Sequence, residues 1–437
     1  MDRKEFARRR KRLMDLMGED SIAVLPTSPV RPRNRDVEYP FRPDSDFYYL
    51  TGFAEPDAVM VLIPGRPEGQ YLLFCRERDP EREQWDGYRN GLEGAVETFG
   101  ADDAFPIGDL DDILPGLMEN RERVYYAMGV YADFDRRVMD WVNRVRARAR
   151  AGVNAPGEFV ALDHLIHELR LFKSKAEVKA MRQAMAISCD AHIRAMQVCR
   201  PGIREYQLEA ELIHEFMSGG ARSTAYPSIV GSGANACVLH YIDNADTARD
   251  GELVLIDAGS EFDYYASDIT RTFPVSGRFR PAQRALYEVV LEAQKAAIDK
   301  VRPGNHWNEP HEAAVAVIAE GLKDLGLVKG RLDRIIADAT YKPFYMHRTG
   351  HWLGMDVHDV GDYKVENEWR LLEPGMVMTV EPGIYVSAAH AKVARKWHNI
   401  GIRIEDDVLV TADGAEVLTA AAPKEMDDIE ALVGAGA

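Results

Sequence analysis

Apolar runs and amphipathic segments divide the chain into two regions with different patterns. In the first region, short apolar runs typical of strands alternate with segments of helical period. The predicted strands are SIAVLP (21–26), DFYYLTGF (46–53), AVMVLIP (58–64), YLLFCR (71–76) and RVYYAMG (123–129). Residues 1–168 are therefore expected to form a mixed α/β domain.

In the second region, the same order of elements occurs twice. A capping box at 174–177 predicts the start of a helix, and a second helix follows an Arg-Pro-Gly turn at 200–202. Strands with acidic residues come next. The order recurs from Pro281, with another Arg-Pro-Gly turn at 302–304. Residues 169–437 are therefore expected to form one domain built from a duplicated α/β unit.

Both repeats place acidic residues at the ends of apolar strands. The run 253–256 ends on Asp257, and Asp268 follows eleven residues later. In the second repeat, the apolar run before Glu381 ends on that residue, and Glu405 lies in another strand-like run. A buried ionised carboxylate without a partner is very costly. We therefore expect a positive charge to neutralise these acids.

The last of these strands indicates which side chains face the same way. Ile400, Ile402 and Ile404 occupy every second position, and Arg403 and Glu405 alternate with them. Because strand side chains alternate between two faces, Arg403 and Glu405 project together, away from the isoleucines. A simple ion pair between Arg403 and Glu405 is the alternative interpretation.

Three histidines lie between the two pairs of acids, in MHRTGHWLGMDVHDVG: His347, His351 and His358. A single histidine in an apolar segment is usually a hydrogen-bonded core residue. Four carboxylates and one imidazole, however, suit two divalent cations, because four negative charges balance four positive ones. Such a pair of ions, about 3.5–4 Å apart, activates a water molecule. Oxygen-rich ligands with one nitrogen favour Mn, Co, Fe or Zn.

Charge and composition exclude several other classes of protein. The formal net charge of -17 opposes nucleic-acid binding, which needs a basic face. No apolar run is long enough for a membrane span, and the basic start, residues 1–17, predicts an amphipathic helix and not a signal peptide. The four cysteines lack CxxC spacing, which indicates reduced thiols and a cytoplasmic location.

The order of the acids and histidines resembles the pita-bread metallopeptidases, the family of methionine aminopeptidase, prolidase and aminopeptidase P. The resemblance covers residues 170–420. It implies five metal ligands in the order Asp, Asp, His, Glu, Glu, which here are Asp257, Asp268, His351, Glu381 and Glu405. The stretches NRDVEYPFRPDSDFYYLTGF (34–53) and RERDPEREQWDGYRNG (76–91) are similar to the aminopeptidase P branch of that family.

This resemblance implies a pita-bread catalytic domain after an N-terminal α/β domain, and a hydrolase acting on peptides with proline in second position. Asp257 would chelate one ion, Asp268 and Glu405 would bridge both, and His351 and Glu381 would complete the other. A hydroxide shared by two divalent ions, expected to be Mn²⁺, would attack the scissile carbonyl.

The resemblance also implies roles for residues around the metal ligands. Glu381 would shuttle the proton, and His358 would stabilise the developing oxyanion. His240 and His347 would line the pocket for proline. Arg403 would bind the rest of the peptide or hold Glu405.

Two further aromatic residues are candidates for substrate binding. Tyr385, four residues after Glu381, is expected near the metals. Trp85 matches a tryptophan that reaches the site of a neighbouring subunit in the resembling proteins, which implies a homotetramer. The alternative for Trp85 is a packed core aromatic.

Two other functions remain open at this stage. A prolidase would use the same metals but accept only Xaa-Pro dipeptides. A non-catalytic pita-bread protein would bind peptides or histones, although such proteins tend to lose metal ligands. Methionine aminopeptidase is disfavoured, because it leaves about 165 N-terminal residues unexplained.

Overall fold

The computed structural model describes residues 1–436 and divides into two compact units. The first unit is Met1–Arg170, and the second begins at Leu171. No helix in the described residues is long and apolar enough to cross a membrane. The N-terminal amphipathic helix predicted from the sequence is present as α1, which begins at Arg3 and ends at Met17.

The first unit is an α/β domain that consists of a six-stranded sheet and helices. Its elements are α1 (Arg3–Met17), β1 (Ser21–Pro26), β2 (Pro32–Asn34), β3 (Val37–Glu38), α2 (Ser45–Thr51), β4 (Val59–Leu62), β5 (Tyr71–Cys75), α3 (Pro80–Asp86), α4 (Gly91–Glu97), β6 (Asp103–Pro106), α5 (Leu110–Met118), β7 (Arg123–Tyr126), α6 (Ala132–Arg146), β8 (Glu158–Ala161) and α7 (Asp163–Leu171). Six strands form a sheet in the order β6-β5-β4-β1-β7-β8. β1 pairs antiparallel with β4 and parallel with β7, so the sheet is mixed.

Four of the five predicted strands in this unit are confirmed as β1, β4, β5 and β7, and one prediction is wrong. The segment 46–53 forms the helix α2 and not a strand. Asp44 caps this helix by accepting a hydrogen bond from the Phe47 amide at 3.0 Å. Gly52 ends it in the left-handed conformation, with φ of 69°. The aromatic run has high strand propensity, but its end caps determine its structure.

The second unit contains the predicted repeat. Its elements are α8 (Lys175–Val198), α9 (Glu205–Ser218), β9 (Ser223–Thr224), β10 (Ile229–Ser232), β11 (Leu253–Asp257), β12 (Ser260–Phe262), β13 (Tyr265–Ala266), β14 (Thr270–Pro274), α10 (Pro281–Ile298), α11 (Glu309–Asp324), α12 (Leu332–Ala337), β15 (Lys364–Val365), β16 (Glu368–Trp369), β17 (Val377–Val380), β18 (Gly383–Val386), β19 (Ile400–Arg403), β20 (Asp406–Val410), β21 (Ala415–Val417) and α13 (Met426–Leu432). Helix α8 packs on α9, and α10 packs on α11. Each helix pair precedes an antiparallel strand pair, β11 with β14 and β17 with β20.

A large apolar core in the second unit contains residues from both repeats. The capping box predicted at the start of α8 is present, with Ser174 and Glu177 bonded reciprocally. The predicted isoleucine face of the last strand is also buried: Ile400, Ile402 and Ile404 belong to this core. The alternating partners of these isoleucines are therefore turned to the other side of the chain.

A buried ion pair joins the strands of the two repeats. The Arg271 guanidinium in β14 donates to Asp406 Oδ1 in β20 at 2.7 Å, and both side chains are fully buried. Asp406 also accepts hydrogen bonds from Gln294, Thr419 and Lys424. Arg271 donates in addition to the carbonyl of Glu405 at 2.5 Å. The pair thus fixes the backbone next to one of the predicted metal ligands.

Replacing Asp406 with asparagine is expected to destabilise the protein strongly. The Arg271 and Lys424 charges would lose their buried counter-charge, which costs about 3–5 kcal/mol of unfolding free energy. Urea denaturation in the presence of a chelator measures the change without a contribution from bound metal.

The matched control for this variant is Glu416→Gln. Glu416 forms a bidentate pair with Arg182, with both distances 2.6 Å, but both side chains are over two-fifths exposed. Loss of this pair is expected to cost about 0–1 kcal/mol. Equal losses for the two variants would contradict the structural role of the Arg271–Asp406 pair.

Candidate active site

A single cavity of about 850 Å³ in the second unit collects nearly all the predicted site residues. All five predicted metal ligands line it, and so do four other predicted residues: His240, His347, His358 and Arg403. Tyr385 lies behind this wall, buried, with its hydroxyl bonded to cavity residues. Trp85 does not line the cavity.

The hairpins of the two repeats bring the four acids together. Asp257 is the last residue of β11, and Asp268 lies two residues before β14, its antiparallel partner. Glu381 follows β17 directly, and Glu405 precedes β20, the partner of β17. The Glu405 amide also donates to the Thr270 carbonyl at 3.1 Å. This backbone bond ties the second acid pair to the first.

Two glycines allow the close chain approaches that this arrangement needs. A Cβ atom on Gly259 would lie 1.7 Å from the Ser267 carbonyl oxygen, beside Asp268. A Cβ atom on Gly350 would lie 2.0 Å from the Thr379 carbonyl oxygen, beside His351. Any larger residue at either position would push a predicted metal ligand out of place.

Asp268, His351 and Glu405 form a compact group of donor atoms. One donor atom from each lies within 4.8 Å of the other two. His351 Nε2 is 3.5 Å from Asp268 Oδ2 and 3.7 Å from Glu381 Oε1. His351 Nδ1 is 2.9 Å from the Trp352 carbonyl oxygen, so it carries the proton and donates. The Nε2 lone pair is therefore free to bind a cation.

The electrostatics of the acids also fit a bound cation. Burial raises the pKa of Asp268 well above its usual value, and the charge of Asp257 adds to this. Burial followed by the charge of Glu405 raises the pKa of Glu381. Burial followed by the charge of Asp268 raises the pKa of Glu405. The ionised forms therefore repel one another, and divalent cations would stabilise them.

Arg403 provides one positive charge within the acidic group. It donates from Nη2 to Asp257 Oδ2 at 2.5 Å, from Nη1 to the Tyr385 hydroxyl at 3.0 Å and from Nε to Thr270 Oγ1 at 3.0 Å. Thr270 in turn donates to Glu405 Oε2 at 2.6 Å. Arg403 thus reaches Glu405 through Thr270 and binds Asp257 directly. The charge count made from the sequence set four negative charges against the four positive charges of two divalent ions. Arg403 adds one positive charge to that count.

Tyr226 is a site residue that the sequence analysis missed. Its hydroxyl is 2.6 Å from Asp257 Oδ1 and 2.5 Å from Asp268 Oδ1. Burial and the two carboxylates raise its pKa well above the usual value, so the phenol stays protonated. Tyr226 lies just before β10, whose residue Ile229 pairs with Asp257. No local pattern in the sequence marks this tyrosine, because only the pairing of β10 with β11 brings it to the acids.

His347 and Tyr385 form a neutral hydrogen-bonded pair. His347 Nδ1 is 2.7 Å from the Arg348 carbonyl oxygen, so Nε2 accepts from the Tyr385 hydroxyl at 2.9 Å. Burial lowers the pKa of His347 to about 4, and the nearby Arg403 charge acts in the same direction. The imidazole is therefore uncharged at neutral pH.

His358 lies on an exposed part of the cavity wall. Its ring centroid is 4.1 Å from that of His351. Burial lowers its pKa, with further contributions from His351 and His240. The next residue, Asp359, forms a fully buried ion pair with Lys173 at 2.9 Å, which anchors the loop that carries His358.

Comparison with known proteins agrees with this architecture. The family model of metallopeptidase family M24 matches residues 179–412, and that of the aminopeptidase P N-terminal domain matches residues 6–125. The chain is 45% identical to the Xaa-Pro aminopeptidase of Escherichia coli over 434 residues, which is 99% of this chain and 98% of that protein.

Solved structures show the same fold along the full chain. The structure of aminopeptidase PepP from Pseudomonas aeruginosa has a TM-score of 0.98 and 63% identity, covering 99% of this chain and 98% of that one. Aminopeptidase P from Escherichia coli with the inhibitor Pro-Leu has a TM-score of 0.96, 45% identity and the same coverage. The chain therefore belongs to metallopeptidase family M24 and is a metal-dependent hydrolase with the aminopeptidase P domain arrangement.

Proposed function

We propose that this protein removes the first residue from peptides whose second residue is proline, and that it uses two divalent cations, expected to be Mn²⁺. The observation that carries the proposal is the group of Asp268, His351 and Glu405 in one cavity, with Asp257 and Glu381 beside it. The names of its full-length relatives favour this specificity over that of a prolidase.

The five residues predicted as ligands fit divalent cations by their chemistry. Four carboxylates and one neutral imidazole nitrogen are the hard and borderline donors that Mn²⁺ accepts. Asp268, Glu405 and His351 would hold a cation together, and Asp257 and Glu381 line the same cavity as further ligands. When bound, such ions activate water and stabilise negative charge on a carbonyl oxygen.

Glu381 and His358 are proposed to move the proton and hold the developing charge. Glu381 lines the cavity with its Oε1 3.7 Å from His351 Nε2, so its carboxylate is placed where it could accept a proton and later release it. His358 lines the cavity, and the lowering of its pKa favours the uncharged imidazole. A neutral imidazole N–H can donate to an oxyanion without adding a fixed charge.

His240 and His347 are proposed to form the pocket for proline. Both line the cavity, together with the apolar side chains of Leu239 and Ile242. An Xaa-Pro bond has no N–H group, so a site for it needs a shaped wall and not an acceptor. Tyr385 donates to His347 Nε2 and so keeps the His347 proton on Nδ1.

Arg403 is proposed to hold the metal ligands, which is one of its two predicted roles. Its three hydrogen bonds go to Asp257, Tyr385 and Thr270, and through Thr270 it supports Glu405. These contacts favour a role in positioning the metal ligands over a role in binding the peptide substrate.

The remaining proposals concern the oligomeric state of the enzyme and its location in the cell. Trp85 is 82% exposed on α3, which suits the predicted contact with a neighbouring subunit of a homotetramer. The four cysteines are free, and burial raises the pKa of each to about 12. Inert thiols of this kind suit the proposed cytoplasmic location.

Purified enzyme loaded with Mn²⁺ is expected to release glycine from Gly-Pro-Ala. Chelation should remove the activity, and added Mn²⁺ should restore it, because the acids need the cations. Amino-acid analysis of parallel reactions with Gly-Pro and Gly-Pro-Ala measures both specificities. Cleavage of the dipeptide with none of the tripeptide would establish a prolidase instead.

Asp268→Asn is expected to abolish both activity and tight metal binding. The variant keeps the side-chain shape but removes one charge from the group of Asp268, His351 and Glu405. Titration calorimetry with Mn²⁺ and the Gly-Pro-Ala assay check the two effects, and Glu292→Gln, an exposed acid on α10, is the control. A metal-loaded, active Asp268→Asn enzyme would refute the assignment.

Tyr226→Phe is expected to weaken metal binding by about 10–100-fold, the effect of removing a partner of metal ligands. The phenyl ring keeps the packing, so only the bonds to Asp257 and Asp268 are lost. Calorimetry measures the affinity, with Tyr206→Phe as the control because Tyr206 is exposed on α9. Unchanged affinity would show that the hydroxyl does not orient these carboxylates.

A further inference from the structure

Two cationic side chains pack on one tryptophan at the edge of the cavity. The Arg348 guanidinium carbon lies 5.1 Å from the centre of the Trp369 ring, and Lys364 Nζ lies 4.5 Å from it. All three residues line the same cavity as the acids. Arg348 and Lys364 are exposed, and Trp369 is half-buried.

The backbone around this tryptophan is well anchored. Trp369 and Lys364 are directly opposed on the two-stranded ribbon of β15 and β16. The Trp369 carbonyl accepts from His306 Nδ1 at 2.8 Å, and the next carbonyl, that of Arg370, accepts from the Trp307 amide at 2.8 Å. Arg348 also donates to Asn308 Oδ1 at the start of α11. The backbone at Trp369 and the Arg348 guanidinium are therefore held in place, and Lys364 lies opposite Trp369 on the ribbon.

Neither charge is neutralised by the protein. Within residues 1–436, no carboxylate oxygen lies within 4.0 Å of the charged nitrogens of Arg348 or Lys364. Two positive charges on one ring repel each other, so folding alone gives little reason to place them together. An anion bound between them would relieve this repulsion.

A short peptide has charges that match this arrangement. Its amino group would lie near the acids and the scissile bond, and its carboxylate lies at the other end of the chain. A guanidinium binds a carboxylate through two parallel N–H groups, and an ammonium adds a point charge. Each residue of an extended peptide adds about 3.3–3.6 Å, so only peptides of limited length would reach.

We infer that Arg348 and Lys364, supported by Trp369, form a subsite for the terminal carboxylate of short peptide substrates. The inference rests on the proposed function and adds a substrate class to it. The enzyme would prefer short peptides with a free carboxylate over the same peptides with a C-terminal amide. The preference would peak at the length that spans from the scissile bond to Trp369.

The test compares kcat/KM for Ala-Pro-Ala and its C-terminal amide, and for the tetra- and pentapeptide pairs that extend it. We expect the free acid to be favoured by about tenfold at one of these lengths, mainly through KM. In the double variant Arg348→Met/Lys364→Met the ratio should fall to within about twofold of one, while kcat/KM for the amide stays within about twofold. Methionine keeps the packing on Trp369 and removes the charge.

Lys329→Met is the matched control, because Lys329 is an exposed cation of the second unit that does not line the cavity. It should keep the full preference for the free acid. Equal cleavage of acid and amide at all lengths by the unaltered enzyme, or an unchanged ratio in the double variant, would overturn the subsite alone. Failure to cleave either member of every pair would overturn the proposed function together with the subsite.

Discussion

Buried carboxylates that repel one another are held a few ångströms apart, and the second unit depends on the bonds that hold them there. Burial and mutual charge raise the pKa of Asp268, Glu381 and Glu405. Protein groups compensate only part of this cost, through Arg403, Tyr226 and Thr270. Bound cations would compensate the rest, so the same repulsion that opposes folding would favour metal binding.

The strand β14 both supports the predicted metal ligands and links the two repeats. Thr270 and Thr272 turn to one side, where they bind Glu405 and the backbone of Arg403. Arg271 turns to the other side and forms the buried pair with Asp406. Because strand side chains alternate, alternate residues support the ligands and lock the two repeats together. A shift of one residue in the register of β14 would exchange these faces and destroy both functions.

The sequence was sufficient to predict features that depend on local pattern. Asp257, Asp268, Glu381 and Glu405 end or interrupt apolar runs, and the cavity lining places them as that pattern indicates. Features that depend on contacts between residues distant in the sequence could not be predicted. Tyr226 and Thr270 have ordinary surroundings in the sequence, and only the pairing of strands brings them to the acids. The helix α2 was missed for a related reason, because the caps Asp44 and Gly52 outweigh the strand propensity of the aromatic run between them.

The cavity wall is acidic in one part and basic in another, and the positions of the strands and loops explain this separation of charge. Strand ends and their loops place acids at one part of the wall, whereas the ribbon of β15 and β16 places Lys364 and Trp369 at another. The acids and the metal ions that they would hold could bind the amino end of a peptide. The side chains of Arg348 and Lys364 could bind its carboxylate end. A site with this polarity would orient a short peptide before any contact with proline is made, since both of its terminal charges would be satisfied in only one direction. Specificity for the second residue would then depend on the pocket walls at His240 and His347, which need to discriminate shape and not charge.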